Sequence, residues 1–408
     1  MNRIDTLLQE FCPNGVEYKS LQECTRQISN IKWKSLLSAY QYIDLSSVDR
    51  ETHQITDTQT ITADNAPSRA QQIVETNDIL LGTTRPMLKR YCIVDNHYNG
   101  QICSTGFCVL RANKYVLPGW IYHQIASTDF FTYVEKNQKG ASYPSISDSN
   151  VKAYRIPVPP LPVQQEIVRI LDSFTQRTAE LTAELTAELT ARQKQYAYYS
   201  SLLLSGKQSV QPYQYIQLNK FAKFIYGFTD KAKNEGDARF LRITDIDDSG
   251  RLKKDDAKYI TLSDESRKYT VHKGDLLMAR TGATYGKTLY VPDNTPAVYA
   301  SFLIKICLNN SVMLNRFYWH FAQSQLYWQQ AIKLVSGGGQ PQFNSGAIGR
   351  MLVPVPPIEE QTRIVSILDR FDALCNDLTS GLPAEIESRR KQYEYYRDKL
   401  LTFPKCNA

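Results

Sequence analysis

Two stretches of this chain place apolar residues at three- and four-residue steps over lengths no ordinary globular helix needs. From Val163 to Ser205 there is neither glycine nor proline, a run of 43 residues. Ile167, Ile170, Leu171, Phe174, Leu181, Leu185, Leu189, Tyr196, Tyr199 and Leu203 fall mostly on one face, which predicts a single rod with one sticky stripe. Pro159, Pro160 and Pro162 precede the run and Gly206 follows it, the punctuation expected at helix ends. At about 1.5 Å per residue the rod reaches roughly 65 Å. A second stretch repeats the stripe with Ile364, Ile367, Leu368, Phe371, Leu374, Leu378, Leu382, Ile386, Tyr393, Tyr396 and Leu400. There Gly381-Leu382-Pro383 breaks the pattern, and Pro383, which lacks a backbone donor, is expected to kink or interrupt the helix. Neither rod can bury its stripe alone. Pairing the two antiparallel solves this; the alternative is that each packs on its own domain.

The rods belong to a duplication. Ile156-Pro157-Val158-Pro159-Pro160 leads into Gln164, Ile167-Val168 and Ile170-Leu171-Asp172. Val353-Pro354-Val355-Pro356-Pro357 leads into Gln361, Ile364-Val365 and Ile367-Leu368-Asp369. The offset of 197 residues also carries Lys194-Gln195-Tyr196-Ala197-Tyr198-Tyr199 onto Lys391-Gln392-Tyr393-Glu394-Tyr395-Tyr396. Between the rods the match thins to a framework. Asn77-Asp78-Ile79-Leu80-Leu81-Gly82 answers Gly274-Asp275-Leu276-Leu277-Met278-Ala279, each read as a turn followed by a buried strand. Short strand-like runs (Cys108–Leu110, Phe302–Ile304) alternate with turns, and one helix-like segment near 120–133 returns near 317–334. The expected fold is α+β. Two mixed α/β domains, 1–155 and 208–352, are separated by two long antiparallel, coiled-coil-like helical segments, 156–207 and 353–408, in a pseudo-twofold duplication. Two similar supports holding dissimilar working parts suggest two different ligands.

Within the first rod Thr178-Ala179-Glu180-Leu181 is followed by two further Thr-Ala-Glu-Leu tetrads ending at Leu185 and Leu189. Four residues advance about 400°, so each leucine drifts about 40° around the axis and three stay within one apolar face. Each copy adds about 6 Å of length. The repeat is read as a spacer, with neutral surface expansion as the alternative.

The loops after the matched strands carry cations, hydroxyls and tyrosines. Thr83, Thr84, Arg85, Lys89 and Arg90 stand in the first, with Lys139, Ser142 and Tyr143 on the segment returning to the rod. Arg280, Thr281, Tyr285 and Lys287 stand in the second, with Gln340 and Gln342 on its return. Such groups suit phosphates and base edges, arginine meeting guanine and glutamine adenine. The net charge of +7 over 408 residues fits a polyanionic partner.

Other chemistries find little support. Gly282-Ala283-Thr284-Tyr285-Gly286-Lys287-Thr288 resembles a P-loop but is one residue short between its glycines. His53, His97, His123, His272 and His320 form no metal-ligand pattern, and no amino-methyltransferase motif of the Asn-Pro-Pro-aromatic kind is present. The eight cysteines include no CxxC pair and read as reduced thiols. No apolar run approaches the ~18–20 residues of a membrane span, and the first residues do not begin a signal peptide. The expectation is a cytoplasmic protein with no catalytic centre, no metal and no membrane partner.

Two variable domains, each followed by Pro-Val-Pro-Pro-x3-Gln and a helix ending in Lys-Gln-Tyr-x-Tyr-Tyr, resemble the specificity subunit of bacterial type I restriction-modification enzymes, and nearly the whole chain shares the likeness. Asn14–Leu21 and Leu400–Phe403 resemble the family's termini, and the tetrads resemble those of members with adjustable target spacing. The departure is Gly381-Leu382-Pro383. The resemblance implies two target recognition domains, each reading one half of a bipartite, asymmetric site in double-stranded DNA. It implies helices that set the gap and dock two modification subunits, which use S-adenosylmethionine to methylate adenine N6. Two restriction subunits would add translocation and cleavage driven by ATP and Mg2+. The chain itself would bind no cofactor. Competing readings are a coiled-coil scaffold without sequence-specific DNA binding and a nucleotide-dependent enzyme built on the near-P-loop.

Overall fold

The central run folds as one helix, Leu161–Ser205, of 45 residues. The chain's structure is a computed structural model that describes residues 3–33, 38–207, 209, 211–336, 341–376 and 381–406. The second rod is two helices, Ile358–Asn376 and Leu382–Leu400. Pro383 stands in the first turn of the later one, where a missing N–H costs nothing, so the interruption expected there is present. Among the described residues no helix is long and apolar enough to cross a membrane.

The chain divides into two compact units, Met1–Leu185 with Ile386–Ala408, and Thr186–Glu385. Each takes in parts of both helical segments. The first unit has a four-stranded antiparallel sheet ordered Thr25–Arg26, Phe107–Ala112, Ile79–Gly82, Tyr91–Ile93. The second repeats it as Ala222–Tyr226, Leu303–Leu308, Leu276–Ala279, Thr288–Tyr290. The strands Ile79–Gly82 and Leu276–Ala279 are buried at every residue, because each is central and covered on both faces. A second sheet in each unit contains one parallel pair, Tyr40–Ile43 with Ile102–Ser104 and Ala238–Leu241 with Ala297–Tyr299.

The helix-like segment after each sheet is a helix pair: Pro118–Ala126 with Thr128–Asn137, and Asn315–Gln323 with Gln325–Leu334. The break comes from Ser127 and Ser324. Each hydroxyl accepts from the backbone N–H three residues ahead and donates to the carbonyl three residues behind. One serine caps two helix ends at once.

The rods begin inside the domains. Val163, Ile167 and Leu171 belong to the core of the first unit, with Trp120 and Phe130. Ile364 and Leu368 belong to the core of the second, with Phe317 and Trp319. The far ends are equally tied: Leu401 and Phe403 enter the first core, and Leu204 the second. Each stripe is therefore divided: its leading turns pack on the domain, as in the alternative reading, and later turns meet the other rod as the antiparallel pairing expects. The leading turns bury against the domain because large apolar side chains of its helix pair face them, at roughly 1.5–3 kcal/mol for each large side chain buried.

A buried glutamine locks each rod to its domain. Gln164 Oε1 accepts from Leu117 N at 2.9 Å, and its Nε2 donates to Pro159 O at 2.7 Å and Tyr115 O at 3.1 Å. Gln361 does the same with Leu314 N, Pro356 O and Val312 O, each at 2.8 Å. A second lock joins His123 Nε2 to Asp172 Oδ1 and His320 Nε2 to Asp369 Oδ1, both at 2.7 Å. Further along, the rods meet. In the first unit Thr175 Oγ1 lies 2.7 Å from Tyr393 Oη. In the second, Tyr199 stacks on Phe371 with ring centroids 5.8 Å apart. There Arg192 lies near Cys375 and Tyr196 near Asp372, so the partners run in opposite directions.

Candidate nucleic-acid interface

The candidate residues come from two loops in each unit, and the backbone sews those loops together. In the first unit Arg85 N donates to Pro144 O at 2.7 Å and Ile146 N to Thr83 O at 3.0 Å. Ser145 forms bridges with both Thr84 and Lys139. In the second, Gly282 N donates to Pro341 O at 3.2 Å and Phe343 N to Arg280 O at 2.7 Å. Gln342 bridges Thr281 and Ser336. Residues some sixty apart in sequence thus form one surface per unit, because the buried strand and the return segment share a short ladder.

In the first unit Lys89, Lys139, Ser142 and Tyr143 are exposed, and so is Arg85, whose Cζ lies 4.3 Å from the Tyr143 ring centroid. Thr84 is half-buried. Arg90 is half-buried too, with its Nε buried and unpartnered among the described residues. Thr83 is buried, its hydroxyl donating to Gly106 O at 2.9 Å, so its side chain serves the scaffold. In the second unit Arg280 is half-buried and its Nε donates to Ser301 O at 3.0 Å. Its guanidinium lies 5.4 Å from the centroids of both Tyr226 and Phe302. Thr281 is buried and accepts from Gln342 Nε2 at 3.0 Å. Tyr285 is half-buried, edge-on to Trp328 and Phe343. Lys287 pairs with Asp248, whose carboxyl it holds below the usual carboxylate range through hydrogen bond and charge. Gln340 lies outside the described residues.

The segment Gly282–Thr288 runs from strand to strand, Leu276–Ala279 to Thr288–Tyr290, with a one-turn 3-10 segment between. A P-loop needs a helix N-terminus after it, and none follows here.

Three residues at the second surface escaped the sequence reading: Tyr226, Phe302 and Ser345. Tyr226 and Phe302 are 40% and 51% exposed and flank Arg280, and Tyr226 Oη lies 3.0 Å from Ser345 Oγ. Tyr226 sits at the end of an edge strand, and only sheet pairing brings that strand beside Arg280.

The rod residues divide by depth. Ile167, Leu171, Ile364 and Leu368 are buried, and Ile170, Ile367, Phe371, Tyr196 and Tyr393 are half-buried. Burial pushes the Tyr196 and Tyr393 hydroxyls up. Phe174, Leu181, Leu374, Tyr199 and Tyr396 are exposed, while Leu185 and Leu189 are half-buried. None of the three tetrad leucines belongs to a domain core. Leu378 lies outside the described residues.

A family model described as "Type I restriction modification DNA specificity domain" matches residues 30–191 and 211–388, well over half of the chain. A Haemophilus influenzae protein named as a type I restriction enzyme specificity subunit is 32% identical over 292 residues, 70% of this chain and 72% of that one. The Escherichia coli EcoR124I/EcoR124II specificity subunit is 35% identical over 290 residues, 63% of this chain and 65% of that one. A solved structure concerned with complex assembly and conformational transition of the type I R-M system shares the fold, with a TM-score of 0.74. It is 22% identical and covers 95% of this chain and 98% of that one. The HsdS subunit from Thermoanaerobacter tengcongensis gives 0.55 at 23% identity, covering 96% and 97%.

Proposed function

The chain belongs to the type I restriction-modification specificity family, and from that premise we propose that it reads a bipartite DNA site, one half per unit, and catalyses nothing itself. The observation that carries this is the duplication: two units share sheets, helix pair and rod locks, while their paired surface loops match in a cation only at Arg90 and Lys287 and differ at Thr83/Arg280, Arg85/Gly282, Lys89/Gly286 and Lys139/Ser336. A protein that reads two unlike half-sites needs that combination, since phosphate and scaffold contacts repeat and base contacts do not. The strand-to-strand course of the near-P-loop and the pairing of Lys287 with Asp248 speak against a nucleotide cradle there. The exposed rod residues, Phe174, Tyr199, Leu374 and Tyr396 among them, are the surface on which two modification subunits dock. Those subunits supply S-adenosylmethionine for adenine methylation, and two restriction subunits supply the ATP- and Mg2+-dependent steps.

A gel-shift series tests the reading, using the chain with its modification subunits and duplexes of varied half-sites and gaps. Selective retention of one bipartite sequence is expected; equal affinity for all sequences at low and high salt would leave only a scaffold. The tetrads give a second test. Adding or removing one Thr-Ala-Glu-Leu changes the rod by ~6 Å, against ~3.4 Å per base-pair step. The preferred gap should move by roughly 1–2 base pairs, with both half-sites unchanged. Methylation mapping of variants with two and four tetrads measures this, and an unmoved gap removes the spacer role.

A further inference from the structure

At four matched positions the backbones of both units turn left-handed, and the residues there differ. In the first unit the non-glycine residues with positive φ are His53, Asn77, Arg85 and Lys89, at 53°, 70°, 48° and 53°. At the offset of 197 residues the second unit has Gly250, Gly274, Gly282 and Gly286, at 70°, 92°, 72° and 80°. Glycine takes this conformation at no steric cost, whereas a Cβ meets the following carbonyl. The second unit shows that the fold closes with glycine at all four. Two of the first unit's exceptions have reasons inside the protein. Asparagine tolerates the left-handed region, and His53 stacks on Tyr91 with centroids 3.9 Å apart.

For Arg85 and Lys89 the described residues offer a ring face and no polar partner. Among the described residues no carboxylate or carbonyl takes the N–H donors of either side chain. Each is laid on an aromatic ring, Arg85 over Tyr143 at 4.3 Å and Lys89 over Phe131 at 5.1 Å. Tyr143 is itself 70% exposed, so this pair is not packing a core. At the place of Lys89 the second unit has Gly286, and a Cβ there would meet Trp328, the counterpart of Phe131, at 3.2 Å. The second unit closes with a larger ring the room that the first leaves for a lysine stem.

We propose that Arg85 reads a guanine in the first unit's half-site, with Tyr143 as its backing plate, while Lys89 grips a backbone phosphate. This rests on the reading of the chain as a DNA specificity subunit. Stacking occupies one face of a guanidinium and leaves its in-plane donors pointing outward, the fork that matches O6 and N7 of guanine. An ammonium is a point charge that suits a phosphate and carries no sequence information. The second unit, with glycine at both places, reads through other residues.

The test compares wild type with Arg85→Gly, Arg85→Lys and Lys89→Gly, each assembled with the modification subunits. Methylated sequences are mapped in a duplex library randomised over both half-sites. Arg85→Gly should make one G·C position of one half-site tolerant, lowering discrimination there at least tenfold, with the other half-site unchanged. Its thermal midpoint should stay put, because glycine suits that backbone. Arg85→Lys should lose the same guanine although the charge remains. Lys89→Gly should keep the motif and reduce the salt slope of binding by about one. The assignment is overturned if Arg85→Gly leaves every position sharp, blurs both half-sites, or lowers the thermal midpoint, which would make the arginine structural. A wild-type complex that selects no motif overturns the underlying reading, and this assignment with it.

Discussion

Between the two units, the glutamine and histidine locks repeat their inner contacts and the surface side chains do not repeat. Gln164 and Gln361 satisfy equivalent backbone groups, and His123–Asp172 and His320–Asp369 have equal lengths. Yet Thr83 is a buried scaffold hydroxyl where Arg280 is a half-buried guanidinium, and Arg85 stands where Gly282 does. Locks differ in their outer partners as well. Position 175 is a threonine bonded to Tyr393, whereas its counterpart Asp372 takes Arg251 and Arg316. Tyr196 then reaches His320 Nδ1 at 3.1 Å, while His123 Nδ1 is buried without a partner among the described residues. A duplicated fold tolerates change where a side chain meets solvent or a ligand. It resists change where one side chain must answer several buried backbone groups.

The largest effect should come from breaking a lock. Gln361→Leu leaves the Leu314 N–H and the Pro356 and Val312 carbonyls without partners, at about 1–3 kcal/mol each. The second unit should lose about 3 kcal/mol or more in denaturant unfolding, and Gln164→Leu should do the same to the first. An unequal loss would show that the two locks are alike in geometry only.

Next in size is the contrast between the readers. Arg280→Ala should relax a single position of one half-site by roughly 1–3 kcal/mol, and that half-site should be the one Arg85→Gly leaves intact. A uniform loss across all sequences would mark Arg280 as a phosphate contact.

The smallest effect is a pH dependence to which both units contribute, since burial lowers His320 in the second unit as it lowers His53 in the first. Burial lowers His53 from 6.5 to about 4, Asp49 opposing and Lys89 and Arg397 adding to the shift. The unfolded chain therefore binds a proton that the folded first unit refuses. This contribution is whole above about pH 6.5 and is lost as pH falls toward about 4. Melts at pH 7 and pH 5 should show the drop, and His53→Gln should make it shallower; an unchanged slope would show that His53 does not carry it.

Much of this was legible in the chain. The rod, the break at Pro383, the buried strands after Asp78 and Asp275, and the pairing of loop with loop all follow from periodicity, proline and a constant offset. The break at Ser127 and Ser324 was not. Apolar periodicity runs through both helices of each pair, and a serine that caps two ends looks in sequence like any polar residue on a helix. Tyr226 and Phe302 were hidden because their counterparts, Ser29 and Thr105, are not aromatic and the offset gives no hint.

The sequence by itself determined that there are two supports and two dissimilar heads, since helix length and duplication are properties of residue order. Tertiary structure decided which part of each stripe enters a domain core and which stays open. It also decided which loop cations are held by a carboxylate, as Lys287 is by Asp248, and which lie on a ring with no ion-pair partner among the described residues, as Arg85 does on Tyr143. Burial and pairing depend on residues far apart in the chain, and only folding brings those together.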